Sequence, residues 1–152
     1  MKVRELQEGD VVLGSDFFRI LNQLSKTKIS SVLDCQLLWD IYKKNKDYHV
    51  LIAEDSEVSN YNKVVGTGSI FIEQKFLRGG GRVGHIEDVV VDKNIRQKGA
   101  GKLITNSLID IAKGCGCYKV ILDCNSANVP FYDRCGFHIS GHQMRIDLNG
   151  SV

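Results

Sequence analysis

A glycine-rich segment that follows a hydrophobic run has the composition of a loop that binds a pyrophosphate. Residues 89–91, three valines, end a predicted strand, and the sequence Arg-Gln-Lys-Gly-Ala-Gly at 96–101 leads into a predicted helix. The first amides of a helix lack intrahelical acceptors and lie at the positive end of the helix dipole. Glycine lets a phosphate approach these amides closely. The absence of a Gly-Lys-Ser/Thr ending argues against a nucleoside triphosphate loop.

Two acidic side chains and a tyrosine have the types needed to move a proton. Glu87 and Asp88 are neighbours in the strand before the loop, and neighbouring strand residues normally face opposite sides of a sheet. Both can serve one site only if the strand contains a bulge, and the alternative is a solvated carboxylate pair at a sheet surface. Tyr132 follows Asn128 by one helical turn, although an amphipathic core tyrosine explains its position equally well.

The hydrophobic pattern predicts an α/β (α+β) sandwich, a mainly antiparallel sheet with flanking helices in a single domain over 1–152. Asp10 is the predicted N-cap of the first helix, and the three glycines at 79–81 are interpreted as a flexible hairpin connection. Strands are predicted at 2–6, 49–54, 64–75, 83–91, 119–124 and 137–146, and helices at 11–24, 31–42, 100–114 and 128–134.

The composition is that of an ordinary globular domain. Hydrophobic residues make up 43% of the chain, and its formal charge of +2 includes no basic block, so we do not expect a nucleic-acid partner. No run approaches the roughly 18 apolar residues of a membrane span, and the N-terminus lacks the pattern of a secretory signal. Five cysteines without a Cys-x-x-Cys pair indicate reduced thiols rather than a zinc site. We therefore expect a cytoplasmic protein without a metal.

Four further motifs, all between residues 64 and 137, narrow the interpretation. They are Ile-Glu-Gln-Lys at 72–75, Gly-His-Ile-Glu-Asp-Val-Val-Val at 84–91, Gly-Cys-Tyr-Lys-Val-Ile-Leu-Asp-Cys at 116–124 and Asn-Val-Pro-Phe-Tyr-Asp-Arg-Cys-Gly-Phe at 128–137. The glycine loop resembles the acetyl-CoA motif of the GNAT superfamily. The four motifs, in this order and spacing, resemble the eukaryotic glucosamine 6-phosphate N-acetyltransferases. This resemblance implies acetyl transfer from acetyl-CoA to the 2-amino group of D-glucosamine 6-phosphate, a step of UDP-N-acetylglucosamine biosynthesis.

The resemblance also implies a fold and a set of site residues. The fold is the GNAT fold, whose fourth strand carries a bulge and splays away from the fifth so that it can bind the pantetheine arm. In the family, Tyr132 corresponds to the residue that hydrogen-bonds the leaving thiolate, Asp123 to one that orients or deprotonates the amine, and Glu87 to one that contacts it. The implied coenzyme residues are Val89, Val90, Val91, Arg96, Gln97, Lys98, Gly99, Ala100, Gly101, Lys102, Asn128 and Tyr132. The implied acceptor residues are Ser25, Lys75, Phe76, Leu77, Arg78, Glu87, Asp88, Val89, Tyr118, Lys119, Asp123 and Arg145.

The same resemblance implies an intertwined homodimer, in which Tyr118, Lys119 and Asp123 reach the site from the second subunit. One position departs from the family pattern. Family members carry a phosphate-binding arginine near the C-terminus, where this chain has Asp147, and strand parity places Arg145 on the same face. Two other functions stay open: acetylation of another small amine or a protein N-terminus, and CoA binding without catalysis.

Overall fold

A computed structural model of the chain describes residues 1–57, 63–95 and 98–148. The chain divides into two compact units, Met1–Leu122 and Asp123–Val152, each with its own internal packing. The described part of the first unit contains a β-sheet with four α-helices and a 3₁₀ turn at Glu8–Asp10. The described part of the second unit contains a 3₁₀ turn at Ser126–Asn128 followed by one short helix.

Five strands form the sheet of the first unit in the order in which they occur along the chain. They are β1 (Lys2–Glu5), β2 (Tyr48–Glu54), β3 (Val64–Gln74), β4 (Arg82–Val91) and β5 (Cys117–Ile121). The pairs β1–β2, β2–β3 and β3–β4 are antiparallel, whereas β4 and β5 are parallel. A parallel pair needs a long crossover connection, and a helix provides it here. These strands confirm those predicted at 2–6, 49–54, 64–75, 83–91 and 119–124, although β5 ends before residue 124.

The helices are α1 (Asp16–Leu21), α2 (Val32–Tyr42), the single turn α3 (Leu77–Gly80), α4 (Ala100–Gly114) and α5 (Val129–Asp133), of which only α5 belongs to the second unit. The helix α2 begins where the sequence predicts. Ser31 accepts a hydrogen bond from the amide of Asp34, whose carboxylate in turn accepts from the amide of Ser31, and this capping box fixes the start of the helix.

The first helix begins later than predicted, and the assignment of Asp10 as its N-cap is wrong. Ser15 is the N-cap of α1, and its hydroxyl accepts a hydrogen bond from the amide of Phe18. Gly14, just before it, has a φ of 77°, a left-handed conformation that interrupts a helix. Asp10 instead forms an ion pair with Arg4 at 2.8 Å. The local sequence pattern does not distinguish a cap from an ion pair with a preceding strand.

Two hydrophobic layers enclose the sheet. On one side, Phe18 and Ile20 of α1 belong to a buried cluster with Ile52 of β2 and Val90 of β4. On the other side, Ile104 and Leu108 of α4 are fully buried. Burial of such side chains is the main favourable contribution to folding.

Glycines in the central strands let α4 approach the sheet closely. A Cβ atom on Gly68 would lie 2.9 Å from Cγ2 of Ile104 and 3.2 Å from Cδ1 of Leu108. On β4, a Cβ atom on Gly84 would lie 2.8 Å from Cδ1 of Ile70. Interiors are packed as densely as organic crystals, so these positions have no room for a side chain.

A bulge interrupts β4 in its second half. Thr67 of β3 pairs with Val90, and Ser69 pairs with Glu87, so β4 contains one more residue than β3 between these pairs. Asp88 lies within the bulge and has a φ of 52°. Pairing with β5 ends at His85, and the remaining residues of β4 have no partner on that side among the described pairs. The bulge and the splay expected for the fourth and fifth strands are therefore confirmed.

The prediction of a strand at 137–146 is wrong. This segment forms no strand, and several of its apolar side chains are exposed: Ile139, Met144 and Ile146. A strand needs a neighbour for its backbone hydrogen bonds, and no described part of the chain pairs with this segment. The periodicity alone does not reveal whether a partner strand exists.

The close contact between α4 and the sheet predicts that Gly68→Val destabilises the protein by about 1–3 kcal/mol, because the added side chain overpacks against Ile104. Unfolding in urea measures the change. Gly9→Val is the matched control, since a Cβ there meets nothing within 4 Å. Equal stability of the two variants would contradict the packing argument.

Candidate active site

Asp92 anchors the loop that follows β4. Its amide donates to the carbonyl of Val65 at 2.9 Å, and its carboxylate accepts from the guanidinium of Arg19 at 2.6 Å and from the amide of Asn94 at 3.0 Å. Burial opposes ionisation of Asp92, but the amide of Asn94 and the charge of Arg19 outweigh it, so the pKa of this carboxyl is lowered. Arg19 also donates to the carbonyl of Val64 at 3.0 Å. The start of the loop is therefore fixed to α1 and β3.

The helix that follows the loop begins with free backbone donors. Gly99 is the N-cap of α4, with a φ of 88° and no capping side chain. The amide of Leu103 is the first to donate within the helix, to the carbonyl of Gly99 at 3.0 Å. The preceding amides of Ala100, Gly101 and Lys102 point out of the helix end without an intrahelical acceptor. A Cβ at Gly99 would meet nothing within 4 Å, so this end is open to an anion.

The start of α4 thus has the uncapped backbone donors that the predicted pyrophosphate site requires. Lys98 and Lys102 are exposed and add positive charge at the same helix end. Arg96 and Gln97, which the sequence also assigns to this site, lie outside the described residues.

The bulge places two carboxylates at the surface of β4. Glu87 and Asp88 are both exposed, although they are neighbours in one strand. The hydroxyl of Ser69 donates to the carbonyl of Glu87 at 3.2 Å, which ties the bulge to β3. Of the expected pantetheine-binding valines, Val90 is buried, whereas Val89 and Val91 are half-buried.

Lys75 belongs to a cluster that the sequence did not predict. Its ammonium lies 2.5 Å from Oε1 of Glu73, and Oε2 of Glu73 lies 2.7 Å from Nε2 of His85. Hydrogen bonds from Lys75, and then from His85, lower the pKa of Glu73. Glu73 and His85 are within the quoted motifs, but their pairing depends on the register between β3 and β4. The spacing of Glu73 and Lys75, two residues apart at the end of β3, was the available signal.

Arg78 belongs to a second cationic cluster. Its guanidinium lies 4.8 Å from the ring centroid of Tyr118, and the ammonium of Lys119 lies 5.8 Å from the same centroid. These distances are within the range of cation–π contacts. Phe76 and Leu77, also predicted to bind the acceptor, are highly exposed at the tip of the hairpin. Ser25, another predicted acceptor residue, is exposed after α1.

The hairpin glycines have structural roles beyond flexibility. Gly79 and Gly80 have φ values of 65° and 80°, which other residues adopt at a cost. A Cβ on Gly81 would lie 2.9 Å from Cδ1 of the Tyr118 ring. The turn therefore needs glycine for its backbone conformation and for its contact with β5.

The second unit contains the remaining predicted residues. The carboxylate of Asp123 accepts a hydrogen bond from the amide group of Gln143 at 2.6 Å. Asn128 precedes α5 and makes no side-chain cap. Arg145 forms an ion pair with Asp147, the residue at the family's arginine position.

Tyr132 of α5 belongs to a cluster of three aromatic rings. Its ring centroid is 4.9 Å from that of Phe131 and 5.9 Å from that of Phe137. Burial raises the pKa of Tyr132, and the nearby thiols of Cys124 and Cys135 raise it further. The phenol therefore stays protonated at neutral pH and can act as a hydrogen-bond donor.

Residues 17–137 match the model of the acetyltransferase (GNAT) family. The chain is 40% identical, over 96% of its length and 87% of the other protein's, to a probable glucosamine 6-phosphate N-acetyltransferase 2 of Oryza sativa subsp. japonica. It is 41% identical to a glucosamine 6-phosphate N-acetyltransferase of Arabidopsis thaliana, over 94% of its length and 93% of that protein's. The chain belongs to the GNAT family, in its glucosamine 6-phosphate N-acetyltransferase group.

Solved structures agree with this GNAT assignment. A crystal structure of glucosamine-6-phosphate N-acetyltransferase from Arabidopsis thaliana superimposes with a TM-score of 0.89 at 36% identity, covering 97% of this chain and 98% of that one. A Trypanosoma brucei acetyltransferase gives a TM-score of 0.85 at 35% identity, covering 97% and 99%. The predicted GNAT fold, with its splayed β4 and β5, is confirmed.

Two further findings on this GNAT chain concern membrane-spanning helices and groups of metal ligands among its described residues. Across 1–57, 63–95 and 98–148, no helix is long and apolar enough to cross a membrane. In the same ranges, no group of three or more His, Cys, Asp or Glu side chains is arranged to hold a metal ion.

The environment of Asp92 predicts a pH-dependent stability. Asp92→Asn should lower the free energy of unfolding at neutral pH by about 1–3 kcal/mol, because a charged acceptor is lost. Since the folded pKa of Asp92 is lowered, its contribution is complete above the unfolded pKa of about 4 and is lost as the pH falls through the folded pKa. In urea unfolding, the difference from wild type should be constant above about pH 5 and shrink below about pH 4.

Asp40→Asn is the control, since Asp40 forms an exposed pair with Lys43 within one helix and should contribute little. A wild-type advantage over Asp92→Asn that persists undiminished to about pH 2 would show that Asp92 does not act through its charge.

Proposed function

We propose that this protein transfers the acetyl group of acetyl-CoA to the 2-amino group of D-glucosamine 6-phosphate. The products are N-acetyl-D-glucosamine 6-phosphate and CoA, and the reaction supplies UDP-N-acetylglucosamine biosynthesis. The observation that carries this proposal is the similarity, over nearly the whole chain, to proteins named for this activity in plants. Two structural features support it. The bulged, splayed β4 suits the pantetheine arm of the coenzyme, and the open start of α4 suits its pyrophosphate.

The residues of the chain fit acetyl-CoA as co-substrate. The amides at the start of α4, with Lys98 and Lys102, offer donors and positive charge to the pyrophosphate. Beyond its pairing with β5, the β4 edge at 89–91 offers backbone groups to the amides of the pantetheine arm. When bound, the coenzyme supplies an acetyl thioester, whose carbonyl carbon is the electrophile. Asn128 is the further coenzyme contact in this proposal.

The acceptor amine must be neutral to attack, and its proton must be removed. We assign Glu87, at the bulge of β4, to contact the amine, and Asp123 to orient or deprotonate it. The hydrogen bond from Gln143 holds one oxygen of Asp123 and leaves the other for the amine. Asp88 and the backbone of Val89 complete the sugar contacts in this assignment.

Tyr132 is the proposed partner of the departing sulfur. Because its pKa is raised, the phenol keeps its proton at neutral pH and can donate a hydrogen bond to the developing thiolate. The aromatic contacts with Phe131 and Phe137 fix the ring and limit the entropy lost in orienting the hydroxyl.

The acceptor phosphate is assigned to cationic side chains. Lys75, Arg78 and Lys119 offer positive charge in the first unit, and Arg145 offers it in the second. Ser25 contributes a hydroxyl donor in this assignment. A charge-assisted phosphate contact is about twice as strong as a neutral hydrogen bond, so the phosphate should dominate recognition of the sugar.

The first prediction from this function concerns the acceptor. The specificity constant kcat/KM for glucosamine 6-phosphate should exceed that for glucosamine by at least about tenfold, since a charge-assisted contact contributes about 1.5–3 kcal/mol. Release of CoA thiol, followed across a panel of amines that includes spermidine and a peptide N-terminus, measures this preference. Equal efficiency with glucosamine and its 6-phosphate would refute the assigned substrate, and no thiol release with any amine would favour a non-catalytic CoA-binding module.

We further propose that the protein is a homodimer with shared active sites. Met144, Ile146 and Leu148 alternate along the C-terminal segment, as in a strand, yet all are highly exposed in the single chain. Such a segment is able to form a strand with a second copy, which would also cover its apolar side chains. The family resemblance supports this arrangement, with Tyr118, Lys119 and Asp123 serving the partner's site.

Shared sites predict complementation between two inactive variants. Asp123→Ala and Tyr132→Phe should each be slow, but a mixed dimer has one site with an intact Asp123 from one chain and an intact Tyr132 from the other. Full subunit exchange at equal concentration should restore about a quarter of wild-type activity, because half of the dimers are mixed and each has one intact site. Thiol release after exchange is the measurement, with each variant mixed with itself as the control.

If mixing restores nothing although the subunits exchange, or if the active species sediments as a monomer, Asp123 does not serve the site of a partner. The sedimentation measurement separates this result from a failure of the proposed reaction, which wild-type activity tests independently.

We also propose that the two units form one N-acetyltransferase domain located in the cytoplasm. The family match at 17–137 begins in the first unit and ends in the second, which supports a single domain. All five cysteines are free thiols, which supports a reducing compartment.

A further inference from the structure

Glu73 holds two other side chains at the end of β3. Its carboxylate oxygens are divided between the ammonium of Lys75, at 2.5 Å, and the imidazole of His85, at 2.7 Å. His85 belongs to the neighbouring strand β4, so Glu73 links the end of β3 to the adjacent strand. All three side chains are about one-third exposed and are therefore accessible to a small molecule.

The Glu73 cluster lies on the same face of the sheet as the proposed amine contact. Phe71 pairs with His85, and Ser69 pairs with Glu87, and residues paired directly across an antiparallel ladder share a face. Glu73 follows Phe71 by two residues, so it lies on this face as well. His85 and Glu87 are two positions apart in β4, or about 7 Å. Thus one row of polar side chains leads from Glu87 to Lys75.

The opposite face of β4 is occupied by α4. A Cβ atom on Gly84, which alternates with His85, would lie 3.3 Å from the Cβ atom of Ala112 in α4. The row from Glu87 to Lys75 is therefore on the side of the sheet away from the coenzyme helix. A sugar whose amine is at Glu87 would direct its 6-phosphate along this row.

We propose that Glu73 is a positioning residue that determines specificity for a phosphorylated acceptor by holding Lys75 against the phosphate. This inference rests on the proposed function. Lysine has a long flexible side chain, and fixing it costs rotamer entropy. The ion pair with Glu73 imposes that order before the acceptor binds. The ammonium has three donors, of which the carboxylate takes one and leaves the others for phosphate oxygens.

The hydrogen bond to His85 fixes the carboxylate itself. Without that second contact, Glu73 would be free to rotate with Lys75 into solvent, and an exposed lysine–glutamate pair contributes little order. His85, which lies in the neighbouring strand β4, therefore limits the motion of the Glu73 carboxylate. In the part of the chain that the structure describes, the second cationic cluster, Arg78 with Lys119 on Tyr118, shows no carboxylate contact and is ordered by the aromatic ring instead.

The test compares phosphorylated and unphosphorylated acceptors in variants of Glu73. Glu73→Ala should raise KM for glucosamine 6-phosphate about tenfold, with kcat changed less than about twofold. The reason is that Lys75 would no longer be held in place for its charge-assisted contact with the phosphate. KM for glucosamine should not change. Glu73→Gln keeps an acceptor oxygen for Lys75 and should show a smaller increase, which tests the idea even if the alanine variant folds poorly. Asp110→Ala, which removes an exposed pair with Lys113 on α4, is the control with unchanged kinetics.

A double variant separates positioning from general damage. If Glu73 acts through Lys75, then Glu73→Ala should add no further loss of phosphate preference in a Lys75→Met background. An equal fall in kcat/KM for both acceptors, additive effects in the double variant, or a lower KM in Glu73→Ala would each overturn the inference. Wild-type enzyme without any preference for the phosphorylated sugar would overturn the proposed function as well, whereas a normal wild-type preference with unaffected Glu73 variants would overturn this inference alone.

Discussion

The bulge in β4 sets the geometry on which the rest of the site depends. One extra residue between the Val90 and Glu87 pairs puts Asp88 into a left-handed conformation and changes which side chains face each side of the strand. Before the bulge, Gly84 lies against α4; after it, Val90 packs into the opposite cluster with α1. The same strand also leaves β5 after His85. Strand polar groups beyond that point need another partner, and a peptide-like ligand is one that suits them.

A second constraint fixes the loop after this strand. Arg19 reaches from α1 to Asp92 and to the carbonyl of Val64, so the end of β4 is tied to a helix and to the neighbouring strand. Because Gly99 lacks a side chain and adopts a positive φ, the start of α4 keeps its amides exposed. Fixed strand ends and an uncapped helix together supply the backbone donors on which the proposed pyrophosphate site depends.

The cations of the first unit that are assigned to the acceptor fall into two groups that are ordered by different physical means. Lys75 is held by a carboxylate, and Arg78 with Lys119 is held by the ring of Tyr118. A carboxylate contact orders one ammonium strongly but reduces the local charge, whereas a ring contact orders a cation and leaves its charge intact. A dianionic phosphate benefits from both, because it requires positive charge and fixed donors.

The sequence by itself determined the elements with strong local signals. The start of α2, the apolar face of α4 and the glycine loop were predicted from local sequence, and the family motifs implied the fold and the splayed strands. Tertiary structure alone decided the rest. Asp10 pairs with Arg4 instead of capping α1, Glu73 joins Lys75 to His85, and the segment at 137–146 forms no strand. Each of these depends on which distant residue lies within a few ångströms, and local periodicity contains no information about strand register or about the presence of a partner strand.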